Sequence, residues 1–370
     1  MLQRRRRQIF ALLMLILFGS ILLLALVPGQ RRFETQVVAT QLSFVTALPS
    51  DEPQRRFLDS IRNLEALSLT GQYPEITLTG QLTHPTLGTA TEITLELPYE
   101  DSQMRFQPVT PGTREAPAEL ELLALQLQNQ TTVEPLRYVP AGRRLGLRFN
   151  HVTPPTTEQG SLLELYLGEQ PLQFTLEGYR LSFGGQVLED PTVTQPLTLT
   201  FTSDSPELAL LLPETGTLSL SLPPLDDIDT LRWFWGNLPV SQIAFTTEER
   251  RGGDALVRSS IRSGLVRMGD QKLDIETDQF LLLEAPGIQQ IRYLDLIEEE
   301  GIQVRAMGET SLAQVGLDPD FPVRSLRSNI IARVFRPDVV VAIVSFSGAM
   351  VATLLGWFVD NLFSSGNAGE

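Results

Sequence analysis

The sequence predicts a mainly β protein, in which an extracytoplasmic antiparallel β-sandwich or β-roll region lies between an N-terminal and a C-terminal transmembrane helix. Two observations predict this fold class. Apolar and polar residues alternate with period two along most of the middle of the chain, which is typical of antiparallel strands with one buried face. Uncharged segments near both ends are each long enough for a helix to cross the hydrocarbon core of a bilayer.

The C-terminal apolar segment is the clearest single feature. Residues 339–359 are 21 positions without a charge, and Asp338 and Asp360 flank them. At about 1.5 Å per residue such a helix is about 30 Å long, which matches the thickness of the hydrocarbon core. Residues 338–360 are therefore predicted to form a transmembrane helix.

Small residues form a stripe on this predicted helix. Gly348, Ala352 and Gly356 recur every four residues, so they lie close to one face. Small side chains let a second membrane helix approach closely, and close packing drives helix association in lipid. The stripe predicts helix packing against a second copy, another membrane protein or the chain's own first span. The alternative is that no partner is implied, because Gly is common in membrane helices.

The N-terminal segment combines a basic tail with a second apolar stretch. Residues 1–8 form the tail, which is predicted to be cytoplasmic and contains Arg4, Arg5, Arg6 and Arg7. Residues 9–28 are predicted to be a transmembrane signal anchor. A cleaved signal peptide is the alternative, but the apolar stretch is longer than the roughly 7–15 residues of a signal-peptide core.

Arginine placement predicts the topology and contains a conflict. The N-terminal arginine cluster outweighs Arg31 and Arg32, which favours a two-pass protein with its middle region periplasmic or luminal and residues 361–370 as a short cytoplasmic tail. The second span alone would prefer the opposite orientation, because arginines precede it and none follows. The first span usually dominates and long loops translocate largely regardless of charge, so the extracytoplasmic assignment is kept.

The middle region is predicted to contain two β-rich domains, 29–224 and 225–323, with a boundary at Pro223-Pro224. Residues 324–337 then form a basic membrane-proximal segment, which contains Arg324, Arg327, Arg333 and Arg336. Its apolar and cationic residues suit an interfacial helix that contacts anionic lipid head groups. A helical extension of the second span and a final strand are the alternatives.

Within the first β-rich domain, residues 33–48 are predicted to be a strand and residues 51–67 a short amphipathic helix. Period-two strands follow from residue 75 onward, with a β-bulge at Leu122-Leu123 where the alternation changes phase. Residues 98–118 hold four prolines and no clear period, so they are predicted to be a long exposed loop.

The second β-rich domain is predicted to begin with a short helix after Asp226, carrying the aromatic residues Trp233 and Trp235 between two sheets. The pattern then predicts six strands, at 242–247, 259–268, 272–276, 279–284, 288–296 and 302–307. Gly269-Asp270 is a typical hairpin turn between the second and third of these strands.

Composition excludes several classes of function. The net charge of −15 argues against nucleic-acid binding, and the absence of cysteine excludes disulfides and thiol chemistry. His84 and His151 are far apart and are predicted to be surface loop residues. The acidic residues Asp318 and Asp320, like the cluster that begins at Asp226, are predicted to cap turns or helices. We therefore predict no catalytic, cofactor or metal site.

The sequence favours a membrane-anchored structural or interaction protein, acting as a scaffold or assembly component of a membrane complex. The predicted partners are membrane lipid and a membrane protein or second copy. A lipid or glycolipid binding or transfer protein is one alternative, and an enzyme with an acidic site is another. A closed, side-chain-filled sandwich would favour the first, whereas an apolar groove opening toward the membrane would favour the second.

Overall fold

The structure, a computed structural model, describes residues 2–113, 115–152, 160–223, 232–251, 254–297, 299–331, 335 and 337–363. These residues form a mainly β protein that begins and ends with a helix, so the mainly β fold class is confirmed. Helix α1 is Leu2–Leu26 and helix α2 is Pro337–Phe363. A short 3-10 helix, Pro140–Gly142, lies between two strands.

The strands of the first half of the chain are β1 (Arg31–Ala39), β2 (Gln41–Thr46), β3 (Gln54–Ile61), β4 (Ala66–Gly71), β5 (Tyr73–His84), β6 (Gly88–Leu97), β7 (Gln103–Pro108), β8 (Glu121–Gln128), β9 (Thr131–Val139), β10 (Arg144–His151), β11 (Leu162–Tyr166), β12 (Leu172–Glu177), β13 (Arg180–Phe183) and β14 (Gln186–Glu189). The strands that follow are β15 (Leu197–Ser203), β16 (Glu207–Leu211), β17 (Thr215–Ser221), β18 (Arg232–Ala244), β19 (Thr246–Arg251), β20 (Asp254–Ser259), β21 (Ile261–Met268), β22 (Gln271–Ile275), β23 (Phe280–Leu283), β24 (Gly287–Ile297), β25 (Gly301–Thr310), β26 (Leu312–Gly316) and β27 (Arg324–Arg327).

Eighteen strands form one continuous antiparallel sheet. Its pairings run in the order β22-β21-β1-β25-β24-β18-β2-β9-β10-β17-β4-β7-β12-β15-β5-β6-β13-β14. Strands β1 and β2 are consecutive in sequence, yet β1 lies between β21 and β25 whereas β2 lies between β18 and β9. Hydrogen bonds therefore join strands from both predicted domains. The predicted domain boundary at Pro223-Pro224 lies at the start of residues 224–231, which are outside the described residues.

Three smaller sheets complete the β-rich body, which we define as residues 31–327. The first is four-stranded in the order β16-β11-β8-β3, the second is β23-β26-β27, and the third is the hairpin β19–β20. One hydrophobic core extends from Phe33 to Leu326 and includes both the large and the four-stranded sheet. Aromatic rings fill part of it, and Phe106 stacks on Phe174 with ring centroids 4.7 Å apart.

The predicted helix at 51–67 is wrong, because β3 and the start of β4 occupy this segment. Phe57 and Leu58 are adjacent yet both fully buried, and the register of β3 against β8 shifts between Arg56 and Leu58. This irregularity breaks the period of two. It spaces the buried residues Phe57 and Ile61 four apart, which imitates the spacing of a helix face.

The predicted loop at 98–118 is wrong in its centre, where β7 pairs with β4 and β12. Met104 and Phe106 face the core and are at most 1% exposed. Only Met104 and Phe106 alternate with polar residues in this strand. So short an alternation, with prolines on both sides, did not predict a strand. The bulge predicted near Leu122 is confirmed, because Leu165 pairs with Leu122 and Glu164 pairs with Ala124.

Five of the six strands predicted after residue 240 are confirmed with shifted ends as β21 to β25, and the turn at Gly269-Asp270 joins β21 to β22 as predicted. The predicted strand at 242–247 is wrong, because β18 ends at Ala244 and β19 begins at Thr246, and neither β20 nor β26 was predicted. The predicted helix after Asp226 is wrong for residues 232–236, which belong to β18. Residues 226–231 lie outside the described residues, as do side-chain details of Trp233 and Trp235. The predicted strand at 33–48 forms two strands, β1 and β2, that separate at Thr40.

One helical segment of the described residues, Asp338–Val359, is long and apolar enough to cross a membrane by its length and composition. The apolar part of α1, Ile9–Ala25, is shorter. The chain therefore combines a large antiparallel β structure with a C-terminal apolar helix and a shorter N-terminal one.

Candidate functional site

The two helices leave the β-rich body at one point, which we call the neck and define as Val27–Gly29 with Ser328–Ile330. The amide of Gly29 donates to the carbonyl of Ser328 over 3.1 Å, and the amide of Ile330 donates to the carbonyl of Val27 over 3.2 Å. Pro28 and Asn329 form an antiparallel bridge between these bonds. The chain entering the β-rich body is thus hydrogen-bonded to the chain leaving it.

Gly29 permits this close approach of two backbones. A Cβ atom at position 29 would lie 2.7 Å from the carbonyl carbon of Asn329 and 2.7 Å from the amide nitrogen of Ile330. Real Cβ atoms do not approach a backbone so closely, so a larger residue would force the two segments of the neck apart. This role of Gly29 was not predictable from the sequence, because it depends on a partner about 300 residues away in the chain.

Helices α1 and α2 pack against each other above the neck. The rings of Phe18 and Phe346 meet edge to face with centroids 5.6 Å apart. Ala11 on α1 is buried, and so are Val340 and Ser347 on α2, which are seven residues apart and therefore share a face. The first helix is thus a packing partner of the second.

The predicted small-residue stripe does not face α1. Its centre lies about 130° around α2 from the face of Val340 and Ser347, at 3.6 residues per turn. Ala352 and Gly356 are exposed, and a Cβ atom added at Gly348 or Gly356 would meet no atom within 4 Å. Among the side chains that the structure describes, the chain's own first helix does not cover the stripe, and a partner in another chain stays a prediction.

The predicted basic segment is not a helix where the structure describes it. Arg324 and Arg327 lie at the two ends of strand β27, which is the final-strand alternative. The guanidinium of Arg324 donates to the carbonyl of Asp274 over 3.0 Å and contacts the carboxylate of Glu276 at 3.2 Å. Arg324 therefore stabilises the edge of β22, while Arg327 is exposed and forms no ion pair with a described residue.

Other predicted residues are outside what the structure describes in atomic detail. Arg333 and Arg336 fall outside the described residues, as do the acidic residues 226–229. Arg4, Arg5, Arg6 and Arg7 lie within α1, but nothing is described of their side chains. Among the described residues no cluster of three His, Asp or Glu side chains has the geometry of a metal site.

His151 is buried, so its predicted surface position is wrong. His84 is half-buried at the end of β5, where its ring accepts the amide of Leu87 across the turn. One ring nitrogen of His151 lies 2.9 Å from the carbonyl oxygen of Pro213 and the other lies 2.8 Å from Oγ of Ser161. The amide of Gln128 donates to the same Oγ over 2.9 Å. This network joins β8, β10 and β11 with the segment before β17.

A serine hydroxyl beside an imidazole is the arrangement of a nucleophile with its base, but here the pair is closed to substrate. Ser161 is 0% exposed and His151 is 1% exposed, and their hydrogen bonds satisfy each other and the backbone. Their arrangement holds the four-stranded sheet against the large sheet. The sequence pattern could have predicted the burial of His151, because His151 follows Leu147 and Phe149 at a spacing of two on the inward face of β10.

The buried imidazole makes the stability of the fold depend on pH. Burial lowers the pKa of His151 below its ordinary value of 6.5, and the hydrogen bond with Pro213 only partly opposes this. As the pH falls below about 6.5, the unfolded chain binds a proton that the folded chain does not, so the free energy of unfolding decreases. Above about 6.5 this group contributes no further change with pH.

We therefore expect the native chain to become less stable as the pH falls from about 6.5 to about 5, and a His151→Gln variant to show a smaller decrease in its free energy of unfolding. Urea unfolding of both chains across this range measures it. The other histidine, His84, is half-buried at the end of β5 and provides the control, since a His84→Gln variant should keep the pH dependence that His151 causes. Equal pH dependence in the native and His151→Gln chains would contradict the buried neutral imidazole.

Asp190 is a second buried polar residue, and it organises the loop before β15. Its carboxylate accepts backbone amides from Gly178 at 2.9 Å, Thr194 at 3.3 Å and Gln195 at 3.4 Å. Although burial opposes ionisation, these amides and the Thr192 hydroxyl lower the pKa of Asp190. The ionised carboxylate therefore fixes the loop at neutral pH.

Two open clefts lie on the solvent face of the large sheet. The larger has a volume of about 530 Å³, lies beside β2, β9 and β10, and is bordered by β19. Its lining is mostly polar and includes Glu134, Arg137, Arg148 and Glu248. The second, of about 370 Å³, is lined by charged and polar residues of β1, β18, β24 and β25. Neither cleft is the apolar groove that a lipid-carrying protein would need.

Comparison with known proteins gives no relative: no family, curated protein or solved structure matches the chain.

Proposed function

We propose that the chain is a two-span membrane protein whose β-rich body lies outside the cytoplasm and acts as a structural or interaction component of a membrane complex. The apolar segment Asp338–Val359 has the length of a membrane span. Helix α1 packs beside it and carries the arginine cluster at its N-terminus, which favours a cytoplasmic N-terminus. The neck hydrogen-bonds the segment that follows α1 to the segment that precedes α2.

The observation that carries the interaction role is the outward direction of the stripe Gly348, Ala352 and Gly356. Helix α1 already covers another face of α2, so the stripe presents bare backbone to the lipid. Small residues at a four-residue spacing let a further helix approach at close range, and van der Waals packing then stabilises the pair. We therefore propose a second copy or another membrane protein as the partner at this face.

The packing of the β-rich body supports this role over lipid carriage. Its core is filled with side chains, and Phe57, Phe149 and Phe174 are among the large residues that are 0% exposed. The two clefts described above are polar. A body with a filled interior binds partners through its surface rather than by enclosing an acyl chain, which favours the interaction role.

A pair of helix variants tests the proposed contact. We expect Gly348→Leu with Gly356→Leu to lower association in bilayers by at least about tenfold, or about 1.4 kcal/mol, because the leucines prevent close backbone approach. Energy transfer between labelled copies measures self-association, and a mild-detergent pull-down measures association with other membrane proteins.

The matched control is Ala342→Leu with Thr353→Leu, which adds leucines to exposed positions centred about 90° around α2 from the stripe. This control should associate as the native chain does. If the stripe variant and the control show the same self-association and the same co-purifying proteins, the proposed contact is wrong.

A further inference from the structure

The segments that join the β-rich body to the helices have an unusual charge. Residues 27–33 contain two arginines and residues 321–337 contain four, and neither segment contains a carboxylate. The whole chain, by contrast, has a net charge of −15. Positive charge is thus concentrated at the segments next to the apolar helices.

The fold adds further basic residues to the same end of the body. The guanidinium of Arg31 lies against Gly269, so the turn between β21 and β22 lies beside the start of β1. Glu34, Arg267 and Lys272 are paired across β1, β21 and β22. Glu34 is five residues beyond Gly29, so this row lies about 17 Å from the neck at about 3.3 Å per residue.

These residues form what we call the collar, defined as Arg31, Arg32, Arg267, Lys272 and Arg327. Arg267, Lys272 and Arg327 are exposed and form no ion pair with a described residue. The side chain of Arg32 is 85% exposed and approaches Glu309 at 3.4 Å, which is a weak contact. Arg31 is half-buried, so four of the five side chains are fully accessible to a ligand.

Acidic residues at this end do not neutralise the collar. Asp270, Glu284 and Glu309 lie at the corresponding strand ends and turns, and Asp338 lies in the first turn of α2. Two other arginines near this end of the body are engaged in ion pairs, since Arg305 pairs with Glu34 and Arg324 pairs with Glu276. Five positive charges of the collar thus face four carboxylates that Arg305 and Arg324 do not pair with.

We propose that the collar binds the phosphate groups of anionic lipids in the leaflet next to the body. The proposal rests on the membrane insertion of the helices proposed above, which brings the collar to the level of the head groups. Arginine and lysine bind phosphate through charge-assisted hydrogen bonds, and each basic residue near an anionic surface strengthens the attraction. Arginines beside a membrane span are normally more frequent on the cytoplasmic side. Binding to lipid phosphates would explain why arginines precede the second span on the proposed extracytoplasmic side.

The test uses the full chain in nanodiscs of phosphatidylcholine. The native chain has no cysteine, so Gln271→Cys places a single fluorescent donor on the exposed turn beside the collar. Acyl-labelled phosphatidylglycerol and acyl-labelled phosphatidylcholine then serve as acceptors in parallel discs. We expect energy transfer to show phosphatidylglycerol enriched about fivefold or more over phosphatidylcholine near the donor.

Charge variants assign the enrichment to the collar. We expect no enrichment when Arg32, Arg267, Lys272 and Arg327 are all replaced by Gln. The matched control replaces four exposed arginines elsewhere on the body, Arg105, Arg137, Arg144 and Arg148, and should keep the enrichment. Equal enrichment in the two variants, or none in the native chain, would overturn the proposal.

Two further measurements distinguish a failure of the lipid contact from a failure of membrane insertion. Inorganic phosphate should not reduce the enrichment more than chloride at equal ionic strength, and a selective reduction would mean that the collar binds free phosphate instead of lipid. Extraction by alkaline carbonate tests insertion separately. A chain that resists extraction but shows no lipid enrichment contradicts the collar alone, whereas an extracted chain contradicts the two-span arrangement.

Discussion

Replacing Phe174 by Ala is expected to lower the free energy of unfolding by about 3–5 kcal/mol. Phe174 is 0% exposed, stacks on Phe106 at 4.7 Å and lies 6.1 Å from the ring of Phe201. Three adjacent strands, β7, β12 and β15, supply these rings. Removing the central ring therefore costs its transfer free energy and leaves a cavity that the neighbouring strands cannot close.

Urea unfolding of the full chain in mild detergent measures this loss. The control is Val187→Ala on β14, because Val187 is 67% exposed and its truncation should change stability by less than about 0.5 kcal/mol. If Phe174→Ala is as mild as the control, the interior is not packed by these rings. A loosely filled interior would favour the alternative of a lipid-binding body.

Replacing Gly308 by Ala is expected to lower the free energy of unfolding by at least about 3 kcal/mol. Gly308 lies in β25 opposite Ile288, where the register against β24 shifts. A Cβ atom at this position would lie 2.8 Å from the carbonyl carbon of Gly287 and closer still to its oxygen. Strand β25 also pairs with β1, so separating β24 from β25 would strain the sheet that continues into the neck.

Gly146 provides the matched control for this strand glycine. It lies in β10, and a Cβ atom added there would meet no atom within 4 Å. We expect Gly146→Ala to be neutral or to stabilise the fold by up to about 1 kcal/mol, because alanine restricts the unfolded chain. Equal unfolding midpoints for the Gly308→Ala and Gly146→Ala variants would contradict the close approach of β24 and β25.

Much of the β structure was predictable from alternation alone. Strands such as β12 and β17 expose polar residues on one face and bury leucines on the other, so period two identifies them. The prediction failed where the backbone departs from this period. The bulge beside Phe57 imitated a helix, and the prolines around β7 concealed a strand of the core.

The candidate sites were only partly predictable, because their geometry depends on distant pairings. The spacing of Gly348 and Gly356 predicted a small-residue face, but only the packing of α1 shows in which direction it points. The neck pairs Pro28 with Asn329, and no local sequence pattern at either residue indicates the other. Similarly, His151 stands beside a proline-rich segment in sequence, although the pleat of β10 turns it inward.

The central claim is that two membrane-inserted helices carry a β-rich body on the extracytoplasmic side. Because the native chain has no cysteine, single cysteines at Val187, exposed on β14, and at Glu370 report the two sides separately. A membrane-impermeant maleimide should label Val187→Cys in intact cells or right-side-out vesicles, and should label Glu370→Cys only after lysis. Labelling of Val187→Cys only after lysis, or of both cysteines before it, would contradict this account.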